Sequence, residues 1–133
     1  KREFLVAAEL MPKDPEPALQ AGLMDLQLGN AQAAETRFLA IIRMAPSYAP
    51  AYNHLAVLRA SQGNNRNAVE LLQHALKLAP DEAEFLNNLG VILVRSGNHG
   101  EALKALEKAV QLKPSYDEAR KNLEDLRRLI NKP

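Results

Sequence analysis

The chain has no cysteine, which excludes a disulfide framework and thiol chemistry and leaves the redox compartment open. It lacks an excess of either charge. Seventeen basic and 16 acidic residues are interleaved and leave a net +1, so there is no electrostatic footprint for nucleic acid or for an anionic lipid surface. No apolar run approaches the roughly 18 residues of a membrane span, and membrane insertion is not expected. Serine is sparse: Ser47, Ser61, Ser96 and Ser115 are the only candidates for a nucleophile, and none lies in a G-x-S-x-G turn. His54, His74 and His99 stand 20 and 25 residues apart, without the H-x3-H or H-E-x-x-H spacing that puts two imidazoles on one metal. No glycine-rich loop forms a phosphate cradle. The expectation is a protein without catalytic residues, metal or cofactor, and not an enzyme.

What is present is a fixed period. Pro12, Pro46, Pro80 and Pro114 are each 34 residues apart, and Gly29, Gly63 and Gly97 keep the same interval. Proline stops a helix and biases the residue before it away from helical angles, whereas glycine suits the left-handed residue at a helix end. Asn30, Asn64 and Asn98 follow the glycines and are expected to cap the next helix. Ala34, Ala68 and Ala102 form a small column, with Phe4, Phe38, Leu72 and Leu106 a large one beside it. Ala7, Ile41, Ala75 and Ala109 form a third. A period near 34 predicts stacked helix–turn–helix units.

The units predict helices from about 15 to Leu28 and on to Met44, then 49–61, 65–78, 82–96 and 99–112. Asp14 is expected to cap the first of them. Residues 1–11 fit the second helix of a unit whose first helix is missing. Lys1 falls inside a repeat, and the chain has neither an initiating Met nor a signal peptide. We therefore expect part of a longer protein, soluble and either cytoplasmic or periplasmic. The open face of residues 1–11, with Phe4 and Leu5, is the candidate for a homodimer contact. Beyond Pro114, Ala119, Leu123, Leu126 and Ile130 recur on one helical face. Asp81-x-x-Glu84 and Ser115-x-x-Glu118 read as capping boxes, and Asp117–Lys121 and Glu124–Arg128 as i,i+4 ion pairs.

These columns resemble the tetratricopeptide repeat family, whose pattern is W-x2-L-G-x2-Y, A-x3-F, P. The third unit matches best, with Leu86, Leu89, Gly90, Leu93, Ala102, Leu106 and Pro114. The resemblance implies an all-α, right-handed solenoid of antiparallel helix pairs. Residues 1–14 would be the second helix of a partial repeat; 15–48, 49–82 and 83–116 would be three repeats, and 117–133 a capping helix. In this register Met24, Leu58 and Ile92 are expected in the core. Where the family carries Tyr, this chain has Asp25, Arg59 and Leu93, and Asp25 is expected to pair with Arg59.

The family's first helices line a concave groove, which by register carries Leu19, Leu23, Leu26, Val57, Val91 and Val94 as an apolar floor. Beside it runs a polar ladder of Gln20, Asn53, His54, Asn87 and Asn88, with Glu84 at the edge. Amide side chains both donate and accept, so such a ladder suits a peptide backbone. The implied function is a scaffold binding a protein or peptide partner, as an extended segment or a helix. The alternatives are a substrate-recruiting arm of a larger enzyme, similar to the repeats of O-linked N-acetylglucosamine transferase, or a self-assembly module. Some members clamp acidic C-terminal tails with Lys, Arg and Asn. Leu19, Leu23, His54, Glu84 and Asn88 stand at the corresponding positions here, so no carboxylate clamp is expected.

Overall fold

Three glycine turns set the geometry of the chain. Gly29, Gly63 and Gly97 adopt φ of 82°, 87° and 85°, angles that a side chain makes costly. Their amides donate to the carbonyls of Leu26, Ala60 and Val94 at 3.1, 2.9 and 3.0 Å, and the next amides, of Asn30, Asn64 and Asn98, donate to Asp25, Arg59 and Leu93 at 2.8, 2.9 and 2.9 Å. This pair of bonds closes the helix end and reverses the chain.

The computed structural model describes residues 14–132. The helix expected at 1–11 and its dimer contact lie outside the described residues. Among the described residues there are α1 (Glu16–Gln27), α2 (Ala31–Met44), α3 (Ala49–Ser61), α4 (Asn65–Leu78), α5 (Ala83–Arg95), α6 (His99–Leu112) and α7 (Asp117–Ile130). Each packs on its neighbours in sequence; α3 also meets α5, and α5 meets α7. The result is an all-α solenoid in which helices of the odd-numbered set share one face. None of these helices is long and apolar enough to cross a membrane.

The predicted columns are the core. Ala34, Ala68 and Ala102 are fully buried, as are Phe38, Leu72 and Leu106 and then Ile41, Ala75 and Ala109. Each buried large side chain contributes about 1.5–3 kcal/mol. Two clusters form, one around Phe38 and one around Leu72 and Leu106, and Ile42 and Leu71 pack against both. Met24 departs from the expectation: it is 54% exposed, while Leu58 and Ile92 in the same column are buried between repeats.

The caps are made mostly by backbone. Asp14 Oδ1 accepts from the amide of Glu16 at 3.1 Å, and Asn64 Oδ1 accepts from that of Asn67 at 3.3 Å. Asn30 and Asn98 make no side-chain cap bond, although they follow the same glycine turn as Asn64. The boxes at Asp81 and Ser115 do not form either: α5 and α7 begin one residue later, after Glu82 and Tyr116, and neither of these caps with its side chain.

Asp25 and Arg59 do not pair with each other. Arg37 Nε meets Asp25 at 3.0 Å, and Arg59 reaches Glu35 at 2.9 Å and Asn67 Oδ1 at 2.7 Å. The side chains of one repeat turn toward their own helix pair or the preceding one, rather than along the column. On α7 the ion pairs are i,i+3, Asp117 with Arg120 and Asp125 with Arg128, instead of the i,i+4 pairs expected. Ala119, Leu123 and Leu126 are buried, whereas Ile130 is 43% exposed at the helix end.

Candidate functional site

Two hollows lie side by side along α5. One, of about 180 Å³, is lined by Val57, Ala60, Asn88, Val91, Ile92, Arg95 and Glu118. The other, of about 200 Å³, is lined by Val91, Val94, Arg95, Leu106, Asn122, Asp125, Leu126 and Leu129. Val91 and Arg95 belong to both, so α5 forms the ridge of a single cleft walled by α3 and α7. The floor is apolar: Val57 is exposed, Val91 is half-buried, and Val94 is half-buried with part of its side chain against the core.

The amides divide into two sets. Asn53 and Asn87 are buried and are used inside the chain. Asn88 Nδ2 donates to Asn53 Oδ1 at 2.9 Å, and Asn122 Nδ2 donates to Asn87 Oδ1 at 2.9 Å. Asn87 Nδ2 donates in turn to the Tyr116 hydroxyl at 3.4 Å. The buried amides thus orient the outer pair. Asn88 and Asn122 are half-buried on the cleft wall, each with a carbonyl oxygen and a second N–H that no protein group engages among the described residues. The ladder of open amides is therefore Asn88 and Asn122, with Asn53 and Asn87 behind it. Asn122 was hidden because the pattern breaks in α7, yet 122 − 88 = 34 places it on the grid.

Toward the first repeat the site closes. Leu19 is buried and Leu23 is half-buried, and both pack in the Phe38 cluster. His54 stacks on Phe38 with centroids 6.1 Å apart. Burial pushes the His54 imidazole below its ordinary value, against the opposing pull of Glu84 and Glu16. Glu16 accepts from the Tyr48 hydroxyl and from Gln20 Nε2; these bonds, Tyr48 first, hold its carboxyl below the usual carboxylate value. Tyr48 is pushed up to about 12, by burial first and by Glu16 next, so its hydroxyl stays a donor. Tyr116 is also raised by burial, then by Glu118 and Glu84. Glu84 is exposed at the start of α5. His74 lies outside the cleft against Tyr52, 4.4 Å between centroids. Among the described residues no three His, Asp or Glu side chains converge as a metal site. The arrangement offers shape, apolar contact and oriented amides.

A family model described as the tetratricopeptide repeat matches residues 19–64 and 55–117. No curated protein matches the chain in sequence. Among solved structures, a mutant O-GlcNAc transferase of Thermobaculum terrenum is 29% identical with a TM-score of 0.80, covering 84% of this chain and 22% of its own. The TPR domain of Sgt2 from Aspergillus fumigatus is 18% identical, with a TM-score of 0.82 over 89% of this chain and 80% of its own. The first TPR of Spaghetti (RPAP3), bound to the HSP90 peptide SRMEEVD, is 15% identical, with a TM-score of 0.85 over 91% of this chain and 96% of its own.

Proposed function

The chain belongs to the tetratricopeptide repeat family, and from that premise we propose that it is a non-catalytic interaction module that takes a peptide in the cleft along α5. The observation that carries this reading is the pair of outer amides, Asn88 and Asn122, each fixed by a buried amide behind it above a valine floor. A donor and acceptor held in place lose little freedom when they meet a backbone, so the ordering cost of binding is lower. A partner side chain buried on Val57, Val91 and Val94 adds about 1.5–3 kcal/mol before those costs. Asn53 and Asn87 support the wall from behind, Leu19 and Leu23 pack in the Phe38 cluster beside it, and His54 and Glu84 flank its N-terminal end. The HSP90-peptide complex of a protein with the same fold supports peptide binding as a use for this architecture.

Selection from a displayed peptide library on the wild-type chain, with Val91→Asp as counter-selection, tests the reading. We expect peptides that bind in roughly the micromolar range and lose at least about tenfold in the variant, whose helical circular dichroism stays unchanged. Peptides that bind both chains alike, or no peptides, would refute it.

A second reading is favoured by the transferase match, in which the chain spans 22% of the larger protein. On this reading the repeats recruit substrate for a catalytic domain in the same polypeptide. A full-length reading frame that encodes no catalytic domain would remove it.

A further inference from the structure

We infer that the occupant of the cleft is a peptide in the polyproline II conformation, with apolar side chains three residues apart seated in the two hollows. This rests on the groove reading above and adds the conformation and spacing of the partner.

The two hollows are one cavity repeated. Val57, Ala60, Asn88, Val91, Ile92 and Arg95 line the first. Adding 34 to each number gives Val91, Val94, Asn122, Asp125, Leu126 and Leu129, and all six line the second. The step between the hollows is therefore the step from α3 to α5, or from α5 to α7. These helices are in contact, and an amide bond of 2.9 Å bridges each junction. Axes of packed helices lie about 8–10 Å apart, which sets the distance between the hollows. At about 180 and 200 Å³, each has room for one apolar side chain, since about 150 Å³ holds a benzene.

Three backbone conformations can be laid against that step. Side chains on one face of a β-strand recur about every 6.6 Å, and the next but one lies about 13 Å away; neither fits. On an α-helix, residues i and i+7 stand about 10.5 Å apart along the axis, but a helical backbone is bonded to itself and leaves Asn88 and Asn122 without partners. Polyproline II advances about 3.1 Å per residue with three residues per turn, so residues i and i+3 share a face about 9 Å apart. It has no internal hydrogen bonds. The backbone beside each anchor is then open to the free groups of Asn88 at the first hollow and of Asn122 at the second. Period and polar complementarity select the same conformer. The charged lining residues are of both signs, Arg95 against Glu118 and Asp125, so recognition is by shape and hydrogen bonding.

The test uses fluorescent ten-residue peptides of Ser and Gln, blocked at both ends, with two Leu residues spaced two, three, four or seven apart, and a one-Leu control. Each is titrated against the chain by anisotropy. The three-residue spacing should bind about tenfold tighter than spacings of two or four and than the control. Of the two hollows, Val57 lines the first and Leu129 the second, and both side chains are exposed. Val57→Asp and Leu129→Asp should each bring the three-spaced peptide down to about the affinity of the control, with helical circular dichroism unchanged. Equal binding of all the two-Leu peptides, or a preference for a spacing of two, four or seven, overturns the inference and leaves the groove reading standing if Val91→Asp abolishes it. A three-residue preference that survives both single-hollow variants overturns the seating in the hollows. Binding indifferent to Val91→Asp, or failure of every peptide to saturate, refutes this inference together with the groove reading beneath it.

Discussion

A single hydrogen atom is all that Gly90 can present to its neighbour. A β-carbon there would lie 2.6 Å from Leu106 Cγ, and one on Gly22 2.6 Å from Phe38 Cε1. Gly90→Ala should therefore cost about 1–3 kcal/mol in urea denaturation, as overpacking does. The added cost should shrink in a Leu106→Ala background, and a double-mutant cycle reads that coupling. Gly22, Ala56 and Gly90 stand 34 residues apart, so a second column of small residues was legible in the sequence. Other residues were not legible, since their fate depends on what stands across from them. Met24 carries the same apolar signal as Leu58 and Ile92, yet only those two meet a covering repeat among the described residues. Arg59 looked like a misfit charge and is a bridge: it ties α3 to Glu35 of α2 and to Asn67 of α4.

Helices were the most legible level. Proline and glycine mark each boundary by backbone chemistry alone, and the limits of α3 and α4 fall where the spacing put them. The site was less legible at this scale, because register assigns a residue to a face without saying whether a neighbour has engaged it. Asn53 and Asn87 fell in the right columns, but the amide of the following repeat reaches each of them. Asn122→Ala should therefore loosen α7 from α5. It leaves the Asn87 carbonyl without its donor, a loss of about 1–3 kcal/mol. Hydrogen exchange should show the opening free energy falling in α7 and its contacts with α5 more than in α3. A uniform fall across the chain would mean that the bond stabilises the fold as a whole and not this junction.

For the whole molecule, acid is the informative variable. His54 in the folded chain titrates below its ordinary 6.5, chiefly through burial, so the unfolded chain takes up its proton first. Stability should be unaffected by this group above about 6.5, and decline as pH falls from there to the folded value, below which the loss levels off. Glu16 acts in a separate, lower window: its contribution is present above 4.5 and fades as pH falls through its folded value. Thermal melts between pH 7 and 5.5 should show Tm dropping less in His54→Gln than in the wild type; parallel curves would contradict this. The amide pairs have a consequence at the same scale. A stack of near-copies has a wrong neighbour one step away, because sliding by one repeat keeps the main apolar columns matched. The junctions are not copies. Leu19 stands where Asn53 and Asn87 stand, and His54 where Asn88 and Asn122 do. Docking the first repeat on the third would set Asn88 against Leu19 and strand its amide, a penalty that hydrophobic columns alone cannot impose. The buried asparagines work as a checksum on the order of assembly.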